Sequence, residues 1–166
     1  MRVLWAPWRL SYIENAAASD GCFFCDNPRL VDRARRREAL VLYSDEHAAV
    51  VMNRFPYANA HLMVAPREHT ADFAGLDAAR AVAVSEALQR TVAVIQRVYS
   101  PQGMNIGMNL GRVAGAGVDD HFHWHVVPRW EGDTNFMPML ADTKVIPQHI
   151  EESYDRLLPY FEEAAR

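Results

Sequence analysis

The chain has 166 residues, half of them hydrophobic and 23% charged, with a formal net charge of -4, which fits one domain able to bury a proper core. That balance argues against a broad nucleic-acid footprint, which needs a clustered basic surface, but leaves room for a small phosphorylated ligand held by local imidazoles, amides and a few cations. No run of about 18 apolar residues occurs and MRVLWAPWRL lacks the apolar core of a signal peptide, so the expectation is a cytoplasmic protein with no membrane and no nucleic-acid partner.

In chain order, residues 1–20 read as an N-terminal arm in which Trp5 and Trp8 flank a proline. Such an arm must lie against something apolar, either this chain's own core or a second subunit. Cys22 and Cys25, in GCFFCDNP, are the only cysteines, too few for a secreted-type disulfide framework. Three readings stand for the pair: unligated thiols, a redox couple, or half of a metal site. A redox couple needs a helix N-terminus to depress one thiol, and CFFCDNP with its early Pro28 is a poor helix start. The run DRARRREAL reads as a solvated loop or helix face, or as a phosphate-steering element.

Strand-like runs follow at Ala39–Ser44, Ala48–Asn53 and His61–Pro66. The link DEH is hairpin-short and RFPYANA is rich in turn residues, so an antiparallel meander is the economical topology. Ala81, Val84, Leu88, Val92, Ile95 and Tyr99 then recur in steps of three and four, which predicts a helix with one buried stripe, stopped by Pro101. Asn105–Leu110 and Phe122–Arg129 are the last two strand-like runs. A weaker helical pattern covers residues 147–166 and is interrupted by Pro159.

The densest chemistry lies in DDHFHWHVVPRW. On an extended chain His121, His123 and His125 share one face, spaced about 6.6 Å, while Phe122, Trp124 and Val126 take the other. Alternate histidines have three readings: polar positions on a wet face, ligands for one metal, or covalent catalysis at phosphorus, one ring attacking while its neighbours handle charge and protons. Just upstream, NLGRVAGAGVDD places Gly111, Gly115 and Gly117 where backbone N–H groups can approach an anion closely. An anion is therefore expected where the imidazoles point.

His121-Phe122-His123-Trp124-His125-Val126-Val127, followed by Pro128-Arg129, resembles the histidine triad (HIT) signature of histidines alternating with apolar residues. NRFPYANAHLMVAPREH also looks like that family, with Asn53 at the ribose-binding position, His61 opening a strand, and Pro66 and His69 at its end. Two separated motifs agree in order and spacing, and the resemblance spans roughly Cys22 to Arg129. It implies an α+β, HIT-like fold over residues 1–166. The expected architecture is a five-stranded antiparallel sheet with one long helix and a C-terminal helical segment, dimerising into a ten-stranded sheet. It also implies a nucleotidyl hydrolase or transferase in which His123 attacks the α-phosphorus, while His125 and the amides of Gly115, Ala116, Gly117 and Val118 stabilise charge. Asn53, His61 and Asn109 join these as expected nucleotide contacts. Phe23, Phe24, Val50 and Met52 are apolar enough to sandwich a base, with core packing as their ordinary role.

One departure stands out. Many members carry Ala-Gly-Gln before the triad, whereas this chain reads Ala114-Gly115-Ala116-Gly117, with twelve steps from Asn109 to His121. With LWAPWR and RWEGDTNFMPML, the pattern looks closest to the bacterial diadenosine tetraphosphate phosphorylase and hydrolase branch, with water or phosphate as acceptor. A purine nucleoside phosphoramidase is the rival reading among enzymes, a nucleotide binder with vestigial turnover the rival from another class. A protein centred on Cys22 and Cys25 for redox or metal handling is the third. Zinc-containing relatives imply that His69 and His121 complete a structural zinc site with Cys22 and Cys25, while magnesium can arrive with the nucleotide. His47 and His149 read as solvated surface; His61 reads equally as pocket lining or as a satisfied strand-end histidine.

Overall fold

The structure, a computed structural model, describes residues 21–133 and 146–164. Trp5 and Trp8 and most of RWEGDTNFMPML therefore lie outside the described residues. Five strands form one antiparallel sheet: β1 (Val41–Ser44), β2 (Ala48–Met52), β3 (Leu62–Pro66), β4 (Gly103–Met108) and β5 (Trp124–Arg129), in the order β1-β2-β3-β5-β4. The meander holds for the first three strands. β5 then enters between β3 and β4 because the long helix after β3 carries the chain across the sheet before β4 forms.

Several strand ends shift from the sequence reading. β1 starts at Val41 rather than Ala39, since Leu40 sits at φ 59, a left-handed conformation that breaks an extended run. Asn53 and His61 fall just outside β2 and β3, and β4 starts two residues earlier than expected, at Gly103. β5 starts at Trp124, so His121 and His123 lie on the approach to the strand and only His125 is in it.

Among the described residues four α-helices accompany the sheet. A single turn, α1 (Phe23–Asp26), leads into a 3-10 turn at Asn27–Arg29 that accepts Pro28 near its start, where a missing N–H costs nothing. A helix does begin in CFFCDNP, against the sequence expectation. α2 (Arg33–Glu38) is the basic run, capped by Asp32, whose Oδ1 accepts from the Arg35 amide at 2.8 Å. Its Arg37 forks onto Asp155 with two bonds of 2.8 Å and reaches Glu151 at 3.2 Å. The run is thus a helix tied to an acidic neighbour, a specific form of the exposed-face reading.

α3 (Ala78–Tyr99) is the expected long helix, started by Asp77, which caps the Arg80 amide, and ended by Ser100 at φ 45. Its buried stripe is Val84, Ala87, Thr91, Val94, Ile95 and Val98. The period is as predicted but the stripe is rotated, leaving Ala81 exposed and Leu88, Val92 and Tyr99 at the margin. Thr91 is buried without penalty because its hydroxyl donates to the Ala87 carbonyl at 2.7 Å.

α4 (Ile150–Ala164) runs unbroken through Pro159, a correction to the expected interruption. The proline is exposed, and Tyr154, Leu157 and Phe161 on the opposite side are buried at or near 0%. That burial outweighs the one backbone bond the proline removes. Tyr154 also donates its hydroxyl to the Val41 carbonyl at 3.0 Å, tying α4 to the sheet.

α3 and α4 cover one face of the sheet, packing on Leu42, Val50, Met52, Leu62, Val64 and Val126. The other face carries a smaller cluster of Phe24, Val41, Val51, Met63 and Ala65. His125 pairs with Met63 and so belongs to this second face. Val50 and Met52 point the opposite way into the helix-covered core, which removes Val50 as a base contact; Met52 keeps only an edge on a small cavity. Among the described residues no helix is long and apolar enough to cross a membrane.

Candidate functional site: a histidine face beside a cysteine–histidine cluster

The approach to β5 brings His121 under the end of β3. The Pro66 carbonyl lies 2.9 Å from His121 Nε2; a carbonyl only accepts, so Nε2 carries the proton and Nδ1 presents its lone pair. That lone pair faces Cys22 Sγ at 3.3 Å and Cys25 Sγ at 3.6 Å. His69 Nδ1 lies 3.3 Å from Cys25 Sγ, with its Nε2 3.5 Å from Asp120. All four ligand atoms lie within 4.8 Å of one another.

Two sulfurs and two nitrogens at bonds of roughly 2.0–2.3 Å in a tetrahedron imply ligand separations of about 3.4–3.8 Å. The contacts above are close to those values. Both histidines offer Nδ1 and hold Nε2 against an oxygen acceptor, the outer arrangement that orients metal ligands. The residues therefore fit a tetrahedral zinc-type ion. Burial pushes the Cys22 thiol up to about 11 and His121 down to about 4. A raised thiol is the opposite of what a redox couple requires, and a metal resolves it by displacing the proton.

His123 is 5% exposed, with the Phe24 ring 4.7 Å away and the His125 ring 4.8 Å away. Its Nδ1 lies 3.0 Å from the His121 carbonyl, which fixes the proton on Nδ1 and leaves the Nε2 lone pair as the nucleophilic one. Burial pushes its pKa below the usual histidine value, so the ring is neutral at pH 7. Phe24, which is fully buried, serves as a wall for His121 and His123 rather than as an open base platform. α1 holds it there, and the cysteines at either side anchor α1. The sequence signal for that role was the apolar pair between two ligands, for which core packing was the ordinary reading and a base contact the functional one.

His61 and His125 form a second pair, Nε2 to Nδ1, at 3.0 Å. The Tyr57 amide donates to His61 Nδ1 at 3.0 Å, and the Asn53 amide nitrogen lies 3.4 Å from the same atom. His61 therefore carries its proton on Nε2 and gives it to His125 Nδ1, which places the His125 proton on Nε2. The satisfied and the site-lining readings of His61 merge in this contact. Asn53 and His61 also border a cavity of about 340 Å³ shared with Met52, Asn59, Gln148 and Ser153.

The glycine loop is more ordered than a bare cradle. Gly111 at φ 80 and Gly115 at φ 93 allow a 3-10 turn at Arg112–Ala114 that other residues would strain. The amides of Gly115 and Ala116 donate back to Arg112 and Gly111, leaving those of Gly117 and Val118 as the ones of the four not spent on the turn. Asn109 ties the loop by donating to the Gly115 carbonyl at 3.3 Å, and Arg112 pairs with Asp119 at 2.7 Å. His47 is exposed in its hairpin, and exposed His149 accepts from the Glu151 amide at 3.4 Å at the start of α4. His149 lines the cavity that Asn53 and His61 border.

With this geometry in hand, the HIT domain family model matches residues 34–132. AP-4-A phosphorylase of Mycobacterium tuberculosis is 35% identical over 158 residues, covering 90% of this chain and 79% of that protein. An uncharacterized HIT-like protein of Mycoplasma genitalium is 30% identical over 82% of this chain and 91% of its own length. Among solved structures, a hypothetical histidine triad nucleotide-binding protein from Sulfolobus tokodaii superposes with a TM-score of 0.62 at 25% identity, covering 86% of this chain and 91% of that one. A zinc-bound histidine triad family protein from Mycobacterium smegmatis has a TM-score of 0.60 at 24% identity, over 76% and 86% of the two chains, and shares the fold. The spaced histidines, the five-stranded sheet and these matches agree, and the chain belongs to the HIT family.

Proposed function

We propose that the protein is a cytoplasmic, homodimeric nucleotidyl hydrolase or transferase that cleaves adenosine dinucleoside polyphosphates at the α-phosphate through a covalent adduct on His123. The observation that carries this is the 3.0 Å contact of His123 Nδ1 with the His121 carbonyl. It aims an unprotonated Nε2 at the substrate and stabilises the positive charge that grows on the ring as the N–P bond forms. The name of the mycobacterial relative supports the choice of substrate.

In the first step the Nε2 lone pair bonds to the α-phosphorus while the bond from phosphorus to the bridging oxygen breaks and its electrons leave with the departing polyphosphate. The His125 Nε2–H donates to that oxygen or to a phosphoryl oxygen. Gly117 and Val118 amides are the assigned donors to the equatorial oxygens, Asn53 the contact for ribose. In the second step water or inorganic phosphate attacks phosphorus and Nε2 departs. A zinc-type ion held by Cys22, Cys25, His69 and His121 would supply a structural cross-link and no open position. Magnesium belongs to the nucleotide polyphosphate rather than to a protein cage.

The test is a panel of diadenosine tetraphosphate and an adenosine phosphoramidate, each with and without inorganic phosphate. The expected products from the tetraphosphate are ATP with AMP in water, and ATP with ADP where phosphate accepts. Preferential cleavage of the phosphoramidate would overturn the substrate assignment. The dimer reading draws on β4, which among the described residues is an edge strand and carries Ile106 at 44% exposed; such an edge invites a second strand. Sedimentation should give twice the chain mass, and a charged substitution at Ile106 should halve it. A parent protein that sediments as a monomer at micromolar concentration contradicts the dimer.

A further inference from the structure

The His61–His125 bond depends on a residue to which neither motif assigns a role. His61 is polar yet only 1% exposed, and the ring nearest to it belongs to Tyr57. The Tyr57 ring lies 4.8 Å from the His61 ring and 5.9 Å from the His125 ring, inclined at 33° and 35°. It packs against both rings and is itself 37% exposed. The same residue supplies the backbone N–H at 3.0 Å that holds His61 Nδ1 as an acceptor.

We propose that Tyr57 is a positioning residue which, through its amide and its ring together, keeps the proton of His125 on Nε2. This rests on the reading of His125 as the proton donor beside the nucleophile. In a neutral imidazole the protonated nitrogen is set by the hydrogen bond made at the other one. A water reaching His61 or His125 could donate to either ring and populate the wrong tautomer. The Tyr57 ring excludes that water and leaves the 3.0 Å bond in a low-dielectric setting where it is stronger.

The loop is built to hold this residue in place. Pro56 fixes its own φ just before Tyr57. Ala60, next to His61, sits at φ 55 while 98% of it is covered, at 2% exposure. A non-glycine residue keeps such a conformation only where its surroundings over-determine it.

The test uses the full chain with its metal, 15N-labelled, in the parent protein and in Tyr57→Phe, Tyr57→Leu and Tyr57→Ala. Long-range proton–nitrogen spectra without substrate report which ring nitrogen of His61 and of His125 is protonated, and kcat and KM for diadenosine tetraphosphate are measured alongside. Tyr57→Phe should keep the parent tautomers and kcat, and Tyr57→Leu should fall between it and alanine. Tyr57→Ala should show His125 divided between tautomers and lose about tenfold in kcat with little change in KM, a fraction of the 10²–10⁴ that acid–base groups contribute. Parent tautomers in a folded Tyr57→Ala protein would overturn the inference. So would a loss in Tyr57→Phe as large as in alanine, because that assigns the effect to the hydroxyl. If the parent turns over no dinucleotide, the functional reading fails while the spectra still decide the role of Tyr57.

Discussion

Replacing His123 with alanine should lower turnover of diadenosine tetraphosphate by about 10⁴-fold or more, the scale seen when a covalent nucleophile is removed from an enzyme that acts as a unit. Water does not replace it, because a water in the vacated space, between Phe24 and His125, is a far weaker nucleophile than the imidazole. Nucleotide binding should survive, since the adduct-forming nitrogen contributes to the transition state and not to the ground state. Steady-state kinetics with a direct binding titration checks both halves. A loss under tenfold, in a variant whose melting curve matches the parent, would mean that another group attacks phosphorus. His125→Ala should cost less, about 10²–10³-fold, because a donor is removed while the nucleophile stays.

Stripping the metal should have the next largest effect, on stability rather than on chemistry. The four ligands come from the start of α1, the segment after β3 and the approach to β5, positions 22, 25, 69 and 121. A closed metal site therefore ties α1 to two stretches that already bond to each other, through the Phe122 N–H on the Thr70 carbonyl and the His121 ring on the Pro66 carbonyl. Without the ion, the Cys22 thiol and the buried His121 ring stay neutral, and the cluster is left with weak sulfur–nitrogen contacts. Protein treated with a strong chelator at pH 7 should lose several kcal/mol, on the order of a 10 °C fall in Tm. Cys22→Ser should behave likewise and bind less zinc. Activity should follow the folded fraction. A chelated protein free of metal with an unchanged melting curve would leave the cluster as simple packing.

How much of this was legible in the chain depends on the range of the interaction. α3 was readable because its period is local. The phase of its stripe was not, because Ala81 is exposed and only tertiary packing reveals that. The ligand set was readable from the resemblance, since residue types survive where geometry is invisible. The first triad histidine was assigned to metal, and the Pro66 carbonyl that orients its ring could not be read, lying 55 positions away in sequence.

Pro159 misled because a proline inside a helix costs a bond whose price depends on what the opposite face buries. The glycine loop misled differently: composition announced open amides, and two of the four are used by the turn that Gly111 and Gly115 make possible. Tyr57 was silent in sequence. It reads as one turn residue in RFPYANA, and its role exists only once β2 and β3 bring that loop against β5.

The most direct test of the central claim is to catch the adduct. Enzyme in excess is mixed with diadenosine tetraphosphate labelled at the α-phosphate, quenched within milliseconds in alkali, where a phosphorus–nitrogen bond to histidine survives, and digested for mass spectrometry. The account predicts an early burst of label on the peptide bearing His123, released as AMP or ADP with the kinetics of turnover. Undiminished turnover with no labelled protein at any time, or label on a different residue, would contradict it.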